Sequence, residues 1–202
     1  MREDELVATI VERRTQQSPC VDIVYPQVEG LPNKKVQREI NQLIEKQANK
    51  LFAGEGCDGV TVTGNYAVKL NQKSLLSIRL EAYLYRQGAA HGMTLANSLT
   101  VDLKTGKVYG LKDLFKSNSH YIYKISEMIK AQIKERDLPL LREFNRITDR
   151  QDFYLTKDAL VIYFQIYDYT PYVVGIPEFV IPLRRVERLA KEDSPIQRLL
   201  AR

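Results

Sequence analysis

The chain opens on an alternation. Val7, Thr9 and Val11 fall on one side and Ala8, Ile10 and Glu12 on the other, the two-residue period of a strand over 6–13. A second strand is expected over 21–25, stopping at Pro26, with 27–33 as a loop punctuated by Gly30 and Pro32. From Lys34 the period changes. Val36, Ile40, Leu43, Ile44, Leu51 and Phe52 share one helical face, with Asn33 placed to cap the helix and Gly54 to stop it. Alternation returns in Val60, Val62, Tyr66, Val68 and Leu70, and again in Leu76, Ile78, Leu80, Ala82 and Leu84, across the polar turn 71–73. So short a connection makes an antiparallel hairpin. A third long strand, with Leu95, Leu99, Val101 and Leu103, ends at Lys104-Thr105-Gly106-Lys107. It too must run antiparallel to its predecessor, because a parallel crossover needs a dozen residues or more.

Further on, Ile122, Ile125, Ile129 and Ile133 predict a helix over 119–136. Pro139 interrupts it, and Leu140, Leu141, Phe144 and Ile147 predict another turn or two of helix. Phe153 and Leu155 lead through Lys157-Asp158 into the most apolar strand, with Leu160, Ile162, Phe164 and Ile166. A loop over 169–177, a last strand over 178–183 and a charged helical tail complete the chain. The expectation is an α+β fold, a curved antiparallel sheet with two main helices packed on one face. The 202 residues, without repeat or linker, are expected to form a single domain over 1–202.

Composition narrows the classes. Hydrophobic residues at 44% and charged residues at 27% are those of a globular domain. Lysine and arginine exceed the acids by 30 to 25, but no run of five like charges occurs, so nucleic acid is not an expected partner. The longest apolar run, 159–164, falls far short of the ~20 residues of a membrane helix, so no membrane span is expected. The opening Met-Arg-Glu-Asp-Glu-Leu lacks the basic and then apolar layout of a secretion signal. A cytoplasmic location is expected for the chain as written, and an extracytoplasmic one if a leader has been trimmed. Cys20 and Cys57 are too few for a disulfide framework. Two buried free thiols are the expected state, with a single bridge as the alternative in an oxidising compartment.

Candidate chemistry is sparse. His91 and His120 are the only histidines, and neither has a metal-ligand neighbour at HxxxH or CxxC spacing. His120, at the start of the second helix, reads as a solvated surface residue. No nucleophile elbow, phosphate loop or dinucleotide fingerprint is present. The acids beside Cys57 would raise a thiol pKa, so 54–59 reads as a turn. No catalytic residue, metal or cofactor is therefore expected.

Two constellations remain as ligand-binding candidates. One is Gln87-Gly88-Ala89-Ala90-His91-Gly92, where Gly88 and Gly92 permit a sharp turn and His91 can meet a ligand or tie the loop to backbone carbonyls. The other is aromatic: Tyr163, Tyr167, Tyr169 and Tyr172 lie within ten residues, followed by Gly175, Pro177 and Glu178, with Pro171 among them. Tyr163 and Tyr167 share the strand face opposite Leu160, Ile162, Phe164 and Ile166. Tyrosine suits sugar stacking and protein interfaces, and equally the cover of a sheet face under a helix. Replacing Tyr169 and Tyr172 is expected to cost binding and to spare stability.

Several segments, in order, resemble one bacterial domain family. They are Tyr25-Pro26-Gln27-Val28-Glu29-Gly30-Leu31 leading into Val36 and Ile40-Asn41, then Gly88-Ala89-Ala90-His91-Gly92 and Asp102-Leu103-Lys104-Thr105-Gly106. Leu111-Lys112-Asp113-Leu114-Phe115, the run Leu160 to Gln165, Tyr172, and Gly175-Ile176-Pro177-Glu178-Phe179 follow. The resemblance extends over about 6–185, with 186–202 as the tail beyond it. That family includes the extracellular sensor domain of lysozyme-responsive anti-sigma factors and the non-catalytic N-terminal domain of a peptidoglycan deacetylase. The resemblance implies a curved antiparallel sheet with packed helices, and a non-enzymatic module recognising a protein or a peptidoglycan-type glycan. Neither a deacetylase's HxxxH ligands nor a membrane helix is present in this chain, so those two activities are not implied. Two alternatives stand beside this reading. One is a cell-wall hydrolase using His91 with Asp102 or Glu178, and the other is an intracellular protein-interaction domain.

Overall fold

The computed structural model describes residues 5–52 and 56–201 and divides into two units, one ending at Val108 and one beginning at Tyr109. The first unit contains β1 (Thr9–Ser18), β2 (Val21–Glu29), α1 (Lys34–Phe52), β3 (Val60–Gln72), β4 (Leu75–Arg86) and β5 (Met93–Asp102). These strands form one open sheet in the order β1-β2-β3-β4-β5.

The hairpins form as expected, but the sheet is mixed. Val21–Ile23 of β2 pair in parallel with Val62–Gly64 of β3, and the other three pairings are antiparallel. The connection from β2 to β3 carries a whole helix, enough for a parallel crossover. Gly64 sits where the two strands meet, and a Cβ there would come within 2.6 Å of Ile23. Pro26 does not end β2, which runs on to Glu29. Beyond Ile23 only β1 pairs with β2, so a residue lacking an N–H is tolerated on the vacant side. The β3–β4 turn falls at Lys73 and Ser74, one step later than expected, and both have positive φ (51° and 59°). That is the mirror-image turn whose twist matches a hairpin.

Asn33 caps α1 as expected: its Oδ1 accepts from the backbone N–H groups of Lys35 (3.0 Å) and Val36 (3.2 Å). Gly54, the expected stop, lies outside the described residues. Val36, Ile40, Ile44, Ala48 and Leu51 pack against Val28, Leu76, Ile78, Leu80, Leu99 and Val101. Each fully buried isoleucine or leucine in this layer contributes about 1.5–3 kcal/mol. Side-chain amides serve the backbone where strands lack a neighbour. Asn41 accepts from Val28 N–H (2.7 Å) and donates to its carbonyl (3.0 Å). Asn71 does the same for Ala8, just before β1.

The cysteines are joined, which corrects the expectation of free thiols. Cys20 and Cys57 are bridged with their Cα atoms 5.3 Å apart. The parallel pairing starts both β2 and β3 at the same end, so the residues just before them become neighbours. Cys57 opens a tight turn through Asp58 and Gly59, both at positive φ, closed by Cys57 N–H donating to Val60 O at 2.7 Å.

The second unit contains α2 (Tyr121–Glu135), β6 (Phe153–Leu155), β7 (Ala159–Tyr163), β8 (Glu178–Pro182), α3 (Leu183–Val186) and α4 (Pro195–Leu200). Its sheet is antiparallel in the order β6-β7-β8. The chain is thus α+β as expected, but the two main helices serve two sheets: α1 packs on the larger, and α2 lies along β8. Gln132 of α2 donates to Val180 O (3.0 Å) and accepts from Val180 N–H (3.2 Å), occupying the edge of β8. Arg136 donates to Glu178 O at 2.7 Å. The helix expected after Pro139 is absent; Phe144 and Ile147 are buried, but in irregular backbone. Ile147 N–H donates to Ser126 Oγ (3.0 Å) and Leu141 N–H to Tyr169 O (2.8 Å), partners outside any local helix. The charged tail holds two short helices, the second capped by Ser194 with Pro195 at its first position.

Candidate functional site

In the first unit, the loop between β4 and β5 is held by Tyr83. Its hydroxyl accepts from Gly92 N–H at 3.0 Å, and Gly92 has no room for a side chain, since a Cβ would sit 2.4 Å from the Tyr83 ring. Gly88 has φ +81° and is exposed. His91 is exposed and its Nδ1 donates to Gly92 O at 3.0 Å, the backbone-tying role weighed for it above. Asp102 lies at the other end of β5, on the order of 30 Å along the strand from that loop. Its Oδ1 accepts from Lys104 N–H (2.8 Å) and Thr105 N–H (2.9 Å), which makes it a turn residue. Asp102 is therefore no partner for His91, which corrects that version of the hydrolase alternative.

Tyr83 also lines a feature that sequence reasoning missed. A groove of about 540 Å³ crosses the face of the larger sheet and takes residues from all five strands, among them Glu12, Asp22, Asn65, Glu81, Tyr83 and Thr94. Their neighbours Val21, Ile23, Val62, Leu80 and Ala82 point into the α1 core, so by alternation these side chains rise from the opposite face. Two of the three acids are matched. Arg14 holds Asp22 through two hydrogen bonds, one from Nε at 2.6 Å, and this contact keeps the Asp22 pKa below the usual aspartate value. Arg79 Nη2 lies 2.7 Å from Glu81 Oε1. The lining is thus amide, hydroxyl and three carboxylates, two of them paired, beside Tyr83, which is 39% exposed.

The aromatic constellation lies in the second unit and divides. Tyr163 is fully buried, beside Tyr154 with ring centroids 6.3 Å apart. β7 is the central strand of its sheet and is buried throughout, so it has no face for a ligand. This corrects the expectation for Tyr163. Tyr169 packs edge-on against Phe164 (4.8 Å) and Phe144 (5.3 Å), with the Arg142 guanidinium 4.8 Å above its ring. Pro177 is buried, and its carbonyl accepts from Phe164 N–H at 3.3 Å. Glu178 Oε2 accepts from the Tyr154 hydroxyl at 3.0 Å. What reaches solvent is Tyr167, held at φ +71° and 44% exposed, its ring 6.5 Å from that of Tyr172. Pro171 and Gly175 bracket the 3-10 turn Tyr172–Val174, which presents Val173 at 86% exposure.

Asp152 is the perturbed carboxylate of this unit. Burial raises its pKa, a hydrogen bond from Gln165 (3.2 Å) works against the shift, and the charge of Asp168 adds to it. The folded state then holds this proton more tightly than the unfolded chain does. The stabilisation is present in full below the ordinary aspartate value and is lost as pH rises through the raised one. Asp152→Asn is expected to be more stable than the parent at pH 7 and to level out this part of the pH dependence. Urea denaturation between pH 4 and 7 measures it, and a variant less stable at pH 7 would refute the burial argument. Among the described residues, no three His, Cys, Asp or Glu side chains gather closely enough to hold a metal ion.

Residues 112–184 match a family described as a protein of unknown function, DUF3298. Over 199 residues the chain is 29% identical to the anti-sigma-V factor RsiV of Bacillus subtilis (strain 168), an alignment covering 89% of this chain and 68% of that protein. In fold it is similar to the crystal structure of a DUF3298 family protein from Pseudomonas aeruginosa PAO1, with a TM-score of 0.67 and 17% identity over 95% of this chain and 94% of the other. A DUF3298 family member from Bacteroides fragilis NCTC 9343 gives a TM-score of 0.66 at 17% identity, covering 97% and 96% of the two chains. At that identity the two structures speak to the fold alone.

Proposed function

We propose that this chain, which resembles the RsiV-type anti-sigma factors, is a non-enzymatic sensor or binding module, and that its ligand is a cell-envelope glycan taken into the groove of the larger sheet. The groove is the observation that carries the reading. Its volume suits a ligand of a few sugar rings, and its lining offers what a polyhydroxylated ligand requires. The Tyr83 ring supplies apolar area for a sugar face, Asn65 and Thr94 supply adaptable donors and acceptors, and the Arg14–Asp22 and Arg79–Glu81 pairs supply fixed ones. The loop carrying Gly88, His91 and Gly92 is secured to Tyr83, which lines the groove. The Cys20–Cys57 bridge supports an oxidising compartment, where envelope ligands occur, over an intracellular role.

A second reading, a protein partner docking on 167–175, is favoured by one observation. Tyr167 holds a bulky side chain at positive φ, a conformation costing about 1–3 kcal/mol, while presenting its ring to solvent beside Val173.

A thermal-shift screen against chitin oligomers, muropeptides and lysozymes separates the two. A native-state ligand at a hundredfold excess over its Kd adds about 2.7 kcal/mol of apparent stability. We expect an oligosaccharide to raise Tm, Tyr83→Ala to abolish the shift, and Tyr167→Gly to keep it. Tyr167→Gly relieves the backbone conformation and is expected to fold with stability within about 1 kcal/mol of the parent. A shift with lysozyme alone, lost in Tyr167→Gly and kept in Tyr83→Ala, would replace the groove by the second reading. No shift with any ligand would overturn both.

A further inference from the structure

In the second unit, the start of α2 and the segment formed by α3 and the 3-10 turn Glu187–Leu189 line an open concavity of about 620 Å³. Lys124 enters from α2, Arg184 and Arg185 from α3, and Arg188 from the 3-10 turn, against the single carboxylate of Glu187. Four cations less one anion leave +3 in one hollow, where the whole chain carries +5. All four cations are exposed, and none has an ion-pair partner among the described residues. Four other arginines are engaged: Arg14 and Arg79 with carboxylates, Arg136 and Arg142 with backbone carbonyls and aromatic rings. Lys116 adds a fifth cation nearby, its Nζ donating to Arg188 O at 3.4 Å.

Four like charges held together against one carboxylate repel, and no ion pair among the described residues accounts for placing them so. We infer that the hollow is a binding site for a soluble ligand carrying at least two phosphate groups. Guanidinium forks match phosphate oxygens in pairs, and three forks with an ammonium call for more charge than one carboxylate brings. A terminal phosphate carries about −1.5 to −2 near pH 7, so two linked phosphates balance the excess. The concave shape favours a free ligand over a headgroup in a bilayer plane, and the volume is that of a small-molecule pocket. Tyr123, 67% exposed at the rim, is placed to cover an organic part of such a ligand. This inference does not rest on the groove of the larger sheet. Within the second unit it is also remote from Glu178, which Arg136 meets about 18 Å along α2 from Lys124.

Titration calorimetry of the full chain with pyrophosphate at low ionic strength tests it. Saturable one-site binding is expected, weakened by about tenfold or more in Arg184→Gln/Arg188→Gln, since each change removes a charge-assisted contact. Glu187→Gln is expected to bind several-fold more tightly, a gain that damage to the fold would not produce. Lys34→Gln/Lys35→Gln, at the exposed start of α1, is expected to bind as the parent does. No heat of binding, equal weakening in the Lys34/Lys35 variant, or no change in the double arginine variant would each overturn the assignment. So would co-sedimentation with phosphatidylglycerol vesicles in the absence of pyrophosphate binding.

Discussion

Phe164→Ala lowers the stability of the protein by about 3–5 kcal/mol. Its ring is buried and meets three others edge-on: Tyr169 at 4.8 Å, Phe144 at 5.5 Å and Phe179 at 5.8 Å. Truncation removes the transfer energy of a phenyl group and leaves a cavity between rings fixed to different elements. Phe179 is anchored on β8, while Phe144 and Tyr169 sit in irregular segments tied to each other through Leu141 and Tyr169. Such a site collapses poorly, so the cost falls within the full range for aromatic truncation. Urea denaturation reads it as a fall in midpoint with an unchanged slope. A loss under 1 kcal/mol would mean that the four rings do not form one packed cluster. By the same reasoning Tyr169→Ala costs stability, against the expectation drawn from the sequence.

Removing the Cys20–Cys57 bridge is the other large effect. The cross-link closes a loop with a sequence separation of 37, and chain-entropy arguments assign such a loop about 4 kcal/mol. Cys20→Ser/Cys57→Ser, or the parent under reducing conditions, is expected to melt on the order of 10 °C lower. The bridge fastens the start of β2 to the turn before β3, where the parallel pairing spans three residue pairs and β2 depends on little else on that side. Equal melting temperatures with and without reductant would show that this corner of the sheet holds without its bond.

Sequence alone made legible the features with short-range causes. The Asn33 cap, the apolar face of α1 and both long hairpins are set by neighbours within a few positions, and all are present. Features created by distant meetings were not legible. The parallel register of β2 on β3 is decided by α1 packing back onto the sheet, and the cysteine bridge follows from that register. Tyr163 was placed by alternation on the side opposite the apolar residues, correctly for an isolated strand. A central strand in a small sheet has both sides covered, however, and periodicity cannot count the layers above it. The groove gathers Glu12, Asp22, Asn65, Glu81 and Thr94 one or two to a strand, so no local spacing announces it. The basic hollow left only the run Arg184-Arg185 with Arg188, which reads on its own as part of a charged tail.

The carboxamides of Asn41, Asn71 and Gln132 each embrace one main-chain residue, giving and taking a hydrogen bond as a neighbouring strand would. Each stands in for a missing strand at Val28, Ala8 or Val180, the positions where another molecule would otherwise add itself to a sheet. Lysine gatekeepers at such margins lose their force in concentrated salt, and carboxylate ones lose it in acid. An amide carries no charge to screen and no proton to lose under those conditions. The protection of these three margins against self-association is therefore insensitive to ionic strength and acidity.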